Sequence, residues 1–413
     1  MRNLLKQSAS TSVIRICGAA LSFLLVLIIS RKYGAASAAP YFFIVGLVPF
    51  LTTFVTGGHH VYAVRHQALN YSHIRNARYT LYLFLCTCMF TIIFFLLVSI
   101  SQYILSNPMI SSTRTYLIPL VFGQATIILS SAIYQGKGKG MIAAIIQFVI
   151  IPSLSVSILF LYKHINFESF MNFYCVINVL FGLILWLTIL DLKVGAYLRS
   201  INYKYLTLIA SAGIIFLLPN ILGQSSNFFI IFTLGHSSSS AVSIFGVCLR
   251  VSLIVGIIYF GVSRAILPYF ARYHRTKSYD EIRSLRAKLY KVLLPILIAM
   301  YVCLFLSAEI ILELFGYSFR DGKIALQIML LGQCLSVFNL INNAIMQMCN
   351  QGAKLNRVAV ITSSAVLISV FPAVHWYGLN GAATIYFINY ALMTILTSYY
   401  TGIFMASRIT NDK

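Results

Sequence analysis

Twelve stretches of this chain are long and apolar enough to cross a lipid bilayer, and they leave little sequence for anything else. A helix needs about 20 apolar residues to span the hydrocarbon core. Such stretches lie at about 12–30, 40–62, 80–104, 115–134, 141–162, 168–190, 205–233, 239–270, 289–315, 324–349, 356–376 and 379–406. Composition excludes a soluble fold: 60% of the 413 residues are hydrophobic and 9% are charged, against about 25% charged in soluble domains. The expected fold is all-α and integral to a membrane. The first stretch reads as a membrane helix and not a cleaved signal, because Arg31 and Lys32 separate it from Ala36-Ser37-Ala38. The eight cysteines lie in or beside apolar stretches with no CxxC spacing, so they read as small apolar side chains, with no metal site or disulfide framework expected.

The loops carry an independent check on the count. With twelve spans, one side of the membrane holds twenty-one Lys and Arg and the other holds six, Arg31, Lys32, Arg114, Lys163, Arg320 and Lys323. The remaining three, Arg15, Arg250 and Arg264, fall inside apolar stretches. Cytoplasmic loops concentrate basic residues, so both termini are expected in the cytoplasm. The largest connection, about 271–288, is cytoplasmic and too short for a further domain. The net charge of +22 makes anionic lipids the expected partners of these loops, not nucleic acid.

Motifs recur at a spacing near 210 residues. Gly123-Gln124 returns as Gly332-Gln333, and Ala132-Ile133-Tyr134-Gln135 as Ala344-Ile345-Met346-Gln347. Ile177-Asn178 matches Ile388-Asn389 at an offset of 211. Two pseudo-symmetric six-helix lobes related as a parallel repeat are therefore expected: 1–190 and 205–413, joined by a cytoplasmic linker at 191–204.

What such a protein handles is suggested by the sign of its charges. No Asp or Glu occurs before Glu168, whereas residues 1–167 hold twelve Lys or Arg. Ionised groups in hydrocarbon are costly and mark functional paths, and guanidinium suits phosphate oxygens. Arg250 lies near mid-bilayer in the eighth stretch; Arg264, fourteen residues on, returns to within about 40° of the same face. Arg15 and Arg264 are near enough to the cytoplasmic surface either to snorkel or to line a passage. Asn220, Gln224 and Asn227 recur every three to four residues behind Pro219, as a cavity wall would, and Gln124 is a further candidate for contacting a polar substrate. Membrane amides also serve helix–helix hydrogen bonding. Glu309, near the end of the ninth stretch, is the candidate for ion coupling. His59-His60 has no third ligand near in sequence, so metal binding is not expected there.

Taken with Arg31-Lys32-Tyr33-Gly34, Phe245-Gly246, Leu249-Arg250, Leu267-Pro268, Leu314-Phe315-Gly316-Tyr317 and Tyr377-Gly378-Leu379-Asn380-Gly381-Ala382-Ala383, the pattern resembles the O-antigen repeat-unit flippases. These belong to the polysaccharide branch of the multidrug/oligosaccharidyl-lipid/polysaccharide exporter superfamily. The resemblance implies a bacterial inner-membrane protein, not an enzyme and without a cofactor. It would move undecaprenyl-pyrophosphate-linked oligosaccharide to the periplasmic leaflet by alternating access through a cationic cavity between the lobes. Arg15, Arg250 and Arg264 would meet diphosphate or acidic sugar, and the amides would meet sugar hydroxyls. Polymerase and chain-length proteins of the same pathway are the implied protein partners. Two other classes stay open: a cation-coupled drug antiporter of the same superfamily, which would need buried carboxylates, and a membrane-embedded glycan polymerase or ligase, which would need a sizeable periplasmic loop.

Overall fold

The computed structural model describes residues 2–68, 73–104, 108–189 and 203–411; the expected linker lies outside them as far as residue 202. The described residues form helices and turns only. Nine of their helices are long and apolar enough to cross a membrane. Their outward surfaces are apolar, as lipid contact requires: Leu187, Leu306 and Ile368 are 74%, 76% and 77% exposed. The eight cysteines are free.

The chain divides into two compact units, Met1–Gln224 and Ser225–Lys413. The first contains α1 (Arg2–Ser37), α2 (Ala39–Val55), α3 (His59–Ala68), α4 (His73–Ile104) and α5 (Pro108–Gly136). It continues with α6 (Gly140–Ala144), a π-helical turn at Ile145–Val149, α7 (Ile150–Leu161) and α8 (Phe167–Ile189). Helix α9 (Tyr203–Ser237) carries the chain across the division at 224–225. The second unit has α10 (Ser239–Arg275), α11 (Tyr279–Leu306), α12 (Ala308–Glu313), a 3-10 turn at Tyr317–Gly322, α13 (Lys323–Met348) and α14 (Gly352–Asn411).

Three elements depart from the simple spans expected. The second stretch is interrupted: α2 ends at Val55, Gly57 and Gly58 take φ of +56° and +74°, and α3 begins at His59. The connection expected at 271–288 is almost wholly helical, with α10 and α11 extending until only Thr276–Ser278 separate them. Helix α14 takes in the last two stretches. At 1.5 Å per residue its apolar part would measure about 84 Å if straight, nearly three times the ~30 Å hydrocarbon core. It breaks at Gly378 (φ 52°, ψ −127°), a conformation that a side chain strongly disfavours.

Each unit is organised around one central helix. Helix α5 packs on α2, α3, α4 and α8, and α13 packs on α10, α11 and α14. Gly123 of α5 lies so close to α8 that a Cβ would stand 2.8 Å from the Asn178 carbonyl carbon; at Gly332 of α13 a Cβ would stand 3.2 Å from the Phe387 Cα. Trp186 Nε1 donates to the Thr126 carbonyl (3.2 Å), and Thr394 Oγ1 donates to the Leu335 carbonyl (2.9 Å). Glycine, backbone neighbour and accepting carbonyl all recur 209 residues on. That register pairs Asn178 with Phe387, not with Asn389. Two residues turn a helix by about 200°, which is why Asn389 faces elsewhere and accepts from Ser226 Oγ at 3.2 Å.

Candidate functional site

Arg250 sits on α10, eleven residues past its first residue, about 16 Å along the axis. Ser238 caps the start of that helix, its Oγ accepting from the Ala241 N–H at 3.4 Å. On either side of Arg250, Val247, Cys248 and Val251 are fully buried. Arg250 itself is partly exposed and has no hydrogen-bond or ion-pair partner among the described residues. The side chain of Arg264 lies outside the described residues.

Arg15 has a different setting. Its guanidinium lies 5.4 Å from the Phe148 ring centroid, a cation–π contact worth about 0.5–2 kcal/mol. Phe148 belongs to the π-helical turn, where the extra residue per turn re-aims side chains. Helix α1 reaches this turn closely, since a Cβ at Gly18 would stand 2.7 Å from Phe148. Nothing in the 141–162 hydropathy marks the π turn, so its contribution to placing Arg15 was not legible in sequence.

The amides divide by function. Gln124 Nε2 donates to Asn178 Oδ1 at 2.6 Å, and Asn178 Nδ2 donates to the Tyr174 carbonyl at 2.7 Å. The first joins α5 to α8 and the second lies within α8, so the Gln124 amide already has a protein partner. In the second unit Gln333 bonds the Tyr386 hydroxyl, and Asn342, fully buried, donates to Ser398 Oγ at 2.8 Å. Helix α9 shows the split most clearly. Ser225 and Ser226 turn inward to Ser363 (2.9 Å) and Asn389 (3.2 Å), whereas Gln224 is exposed and Asn220 and Asn227 are partly so.

Glu309 is held by neighbouring cations. Its carboxylate pairs with Lys323 Nζ at 2.6 Å and with Arg320, and Arg320 also reaches Glu313 at 3.5 Å. Hydrogen bonds from Lys323 and then Arg320 hold the Glu309 carboxyl below its usual value. This network ties α12 to the 3-10 turn and to the start of α13. Among the described residues no group of three His, Cys, Asp or Glu could hold a metal ion.

Comparison with known proteins bears on the fold. The MatE family matches residues 216–374, a segment that contains Arg250 and the exposed part of α9. No curated protein matches the chain. Among solved structures, an inward-facing multidrug resistance MATE family transporter of the MOP superfamily is 15% identical, with 97% of this chain and 100% of that one covered at a TM-score of 0.72. The lipid II flippase MurJ, in an inward closed conformation, is 13% identical over 94% of this chain and 87% of its own, at 0.75. The fold is that of the MATE and MurJ transporters. A further match is a MOP superfamily transporter from Pyrococcus furiosus, for which reverse polarity of the binding pocket suggests a different function; it is 16% identical, with 98% and 96% covered and a TM-score of 0.62. The chain is thus a multi-pass membrane protein with the fold of these transporters.

Proposed function

We propose that the chain is a flippase for undecaprenyl-pyrophosphate-linked oligosaccharide, moving O-antigen repeat units from the cytoplasmic to the periplasmic leaflet of a bacterial inner membrane. In this reading it has twelve spans in two six-helix lobes and cytoplasmic termini. The observation that carries the proposal is the charge asymmetry: twelve basic residues and no carboxylate precede Glu168. Arg250, partly exposed and without an ion-pair partner among the described residues, supports a role in meeting diphosphate. Arg15, whose face rests on Phe148, is proposed to act with it. Arg264, Asn220, Gln224 and Asn227 are proposed as further contacts, the amides toward sugar hydroxyls. Gln124 is the weakest of the set, because Asn178 occupies it.

The MatE match and the multidrug MATE structure favour a second reading, a cation-coupled drug antiporter. Such a protein needs a carboxylate to hold its cation. Glu309 is committed to Lys323 and Arg320, which counts against it as the coupling group. Replacing Arg250 by Ala, with expression held constant, separates the readings. The flippase reading expects loss of surface glycan with unchanged drug sensitivity; undiminished surface glycan would remove Arg250 from the site.

A further inference from the structure

Helix formation through the connection expected at 271–288 sets Arg286 about two turns inside α11. Its neighbours Arg283 and Lys288 are exposed, whereas Arg286 is partly buried. The guanidinium lies over the Tyr290 ring, 5.5 Å from Cζ to the centroid, and Nε donates to the Tyr290 hydroxyl at 3.4 Å. The ring is itself fixed, tilted against Phe338 of α13 at 5.1 Å between centroids.

The hydrogen bonds behind the ring run in one direction. Asn342 of α13, fully buried, donates from Nδ2 to Ser398 Oγ of α14 at 2.8 Å. Its Oδ1 is left as the acceptor, and the Tyr290 hydroxyl donates to it at 3.4 Å. The phenol proton is thereby committed toward α13, so the oxygen turned to Arg286 offers a lone pair. A guanidinium carries five N–H donors in one plane. The one at Nε is used here, and Nη1 and Nη2 have no hydrogen-bond or ion-pair partner among the described residues. Glu281 and Asp280, five and six residues back, are both exposed and are turned from Arg286 by about 140° and 120° around the helix. Elsewhere in the same unit Arg320 is neutralised by Glu309 and Glu313. The neighbours of Arg286 orient its guanidinium without meeting its charge, and the edge they leave is the fork that grips two oxygens of a phosphate.

We propose that Arg286 is a phosphate-contacting residue, and that Tyr290 is the positioning residue that holds its fork. The identity of the phosphate, the diphosphate of an undecaprenyl-linked saccharide, rests on the flippase reading. The assignment adds to Arg250 of α10 a second guanidinium on a different helix. Asn342 and Ser398 act behind it by fixing the direction of the Tyr290 hydroxyl.

The test compares two lipids with the same tail, undecaprenyl diphosphate and undecaprenol, binding to the purified full-length protein in native mass spectrometry. The parent is expected to prefer the diphosphate. Arg286→Ala should weaken diphosphate binding about tenfold or more, the worth of one charge-assisted contact, and leave undecaprenol unchanged. A packing role alone would weaken both lipids equally. Arg286→Gln, which keeps a donor for Tyr290 but no charge, should show the same selective loss and serves if the Ala variant folds poorly. Tyr290→Phe keeps the ring, deletes the hydroxyl and should lower the preference severalfold. Arg286→Gln or Arg286→Ala with the parent's full preference overturns the proposal, and the cargo reading stands if Arg250→Ala loses that preference. A parent that binds the two lipids equally overturns both.

Discussion

Arg250 and Glu309 are both charged groups in an apolar chain, and their surroundings differ. Glu309 lies in a network of two cations and two carboxylates with Lys323, Arg320 and Glu313, so its charge is used up in joining α12 to α13. The sign of its pH dependence follows. Its carboxyl is held below the usual 4.5, so the pairs stabilise the fold above that pH. Their contribution is lost as pH falls through the lowered folded value. Glu309→Gln should therefore melt below the parent at pH 7 and converge with it in strong acid; a gap independent of pH contradicts the account. Among the described residues Arg250 has no such partner. Arg250→Ala should leave thermal stability nearly unchanged while abolishing surface glycan. Arg250→Lys should recover only part of the activity, since an ammonium lacks the planar fork. Buried amides behave otherwise: Asn342→Leu removes a partner from Ser398 and should cost about 1–3 kcal/mol in a denaturation series.

At the scale of elements, the central helices depend on close backbone approach. Gly123→Ala places a Cβ 2.8 Å from α8 backbone and Gly332→Ala one 3.2 Å from α14 backbone. Both overpack, at about 1–3 kcal/mol, and Gly123→Ala should be the more damaging in a thermal-stability comparison. Equal effects would contradict the difference in backbone approach between the two helix pairs. This paired register was half legible in the sequence. Gly123-Gln124 and Gly332-Gln333 announced it, whereas the Asn178–Asn389 match misled by two residues, because identical residue types on opposite helix faces look alike in a string. The existence of the helices was legible throughout, since about 20 apolar residues admit few alternatives in a bilayer. Their interruptions were not. A window average stays apolar across Gly57-Gly58 and across Gly378, and the π turn around Phe148 is a matter of hydrogen-bond register, which composition does not encode.

For the whole molecule, the absence of early carboxylates and the fold bear on different questions. The fold, shared with MATE and MurJ proteins at 13–16% identity, accommodates drug export and lipid flipping alike, so cargo must be argued from the charges. A basic protein whose cations approach its cargo should accept anions and refuse cations. The candidate residues were legible in part: Arg15 and Arg250 stood out as charges among apolar neighbours, but Phe148 beneath Arg15 and the partner of Gln124 required three dimensions. Proteoliposomes containing the purified full-length chain and a fluorescent undecaprenyl-diphosphate-saccharide give the most direct measurement of cargo. Protection of the label from an external reducing quencher reports the fraction that crosses. The account predicts crossing that is lost in Arg250→Ala and unaffected by excess cationic drug; no crossing above empty vesicles, together with uptake of a cationic dye, would contradict it.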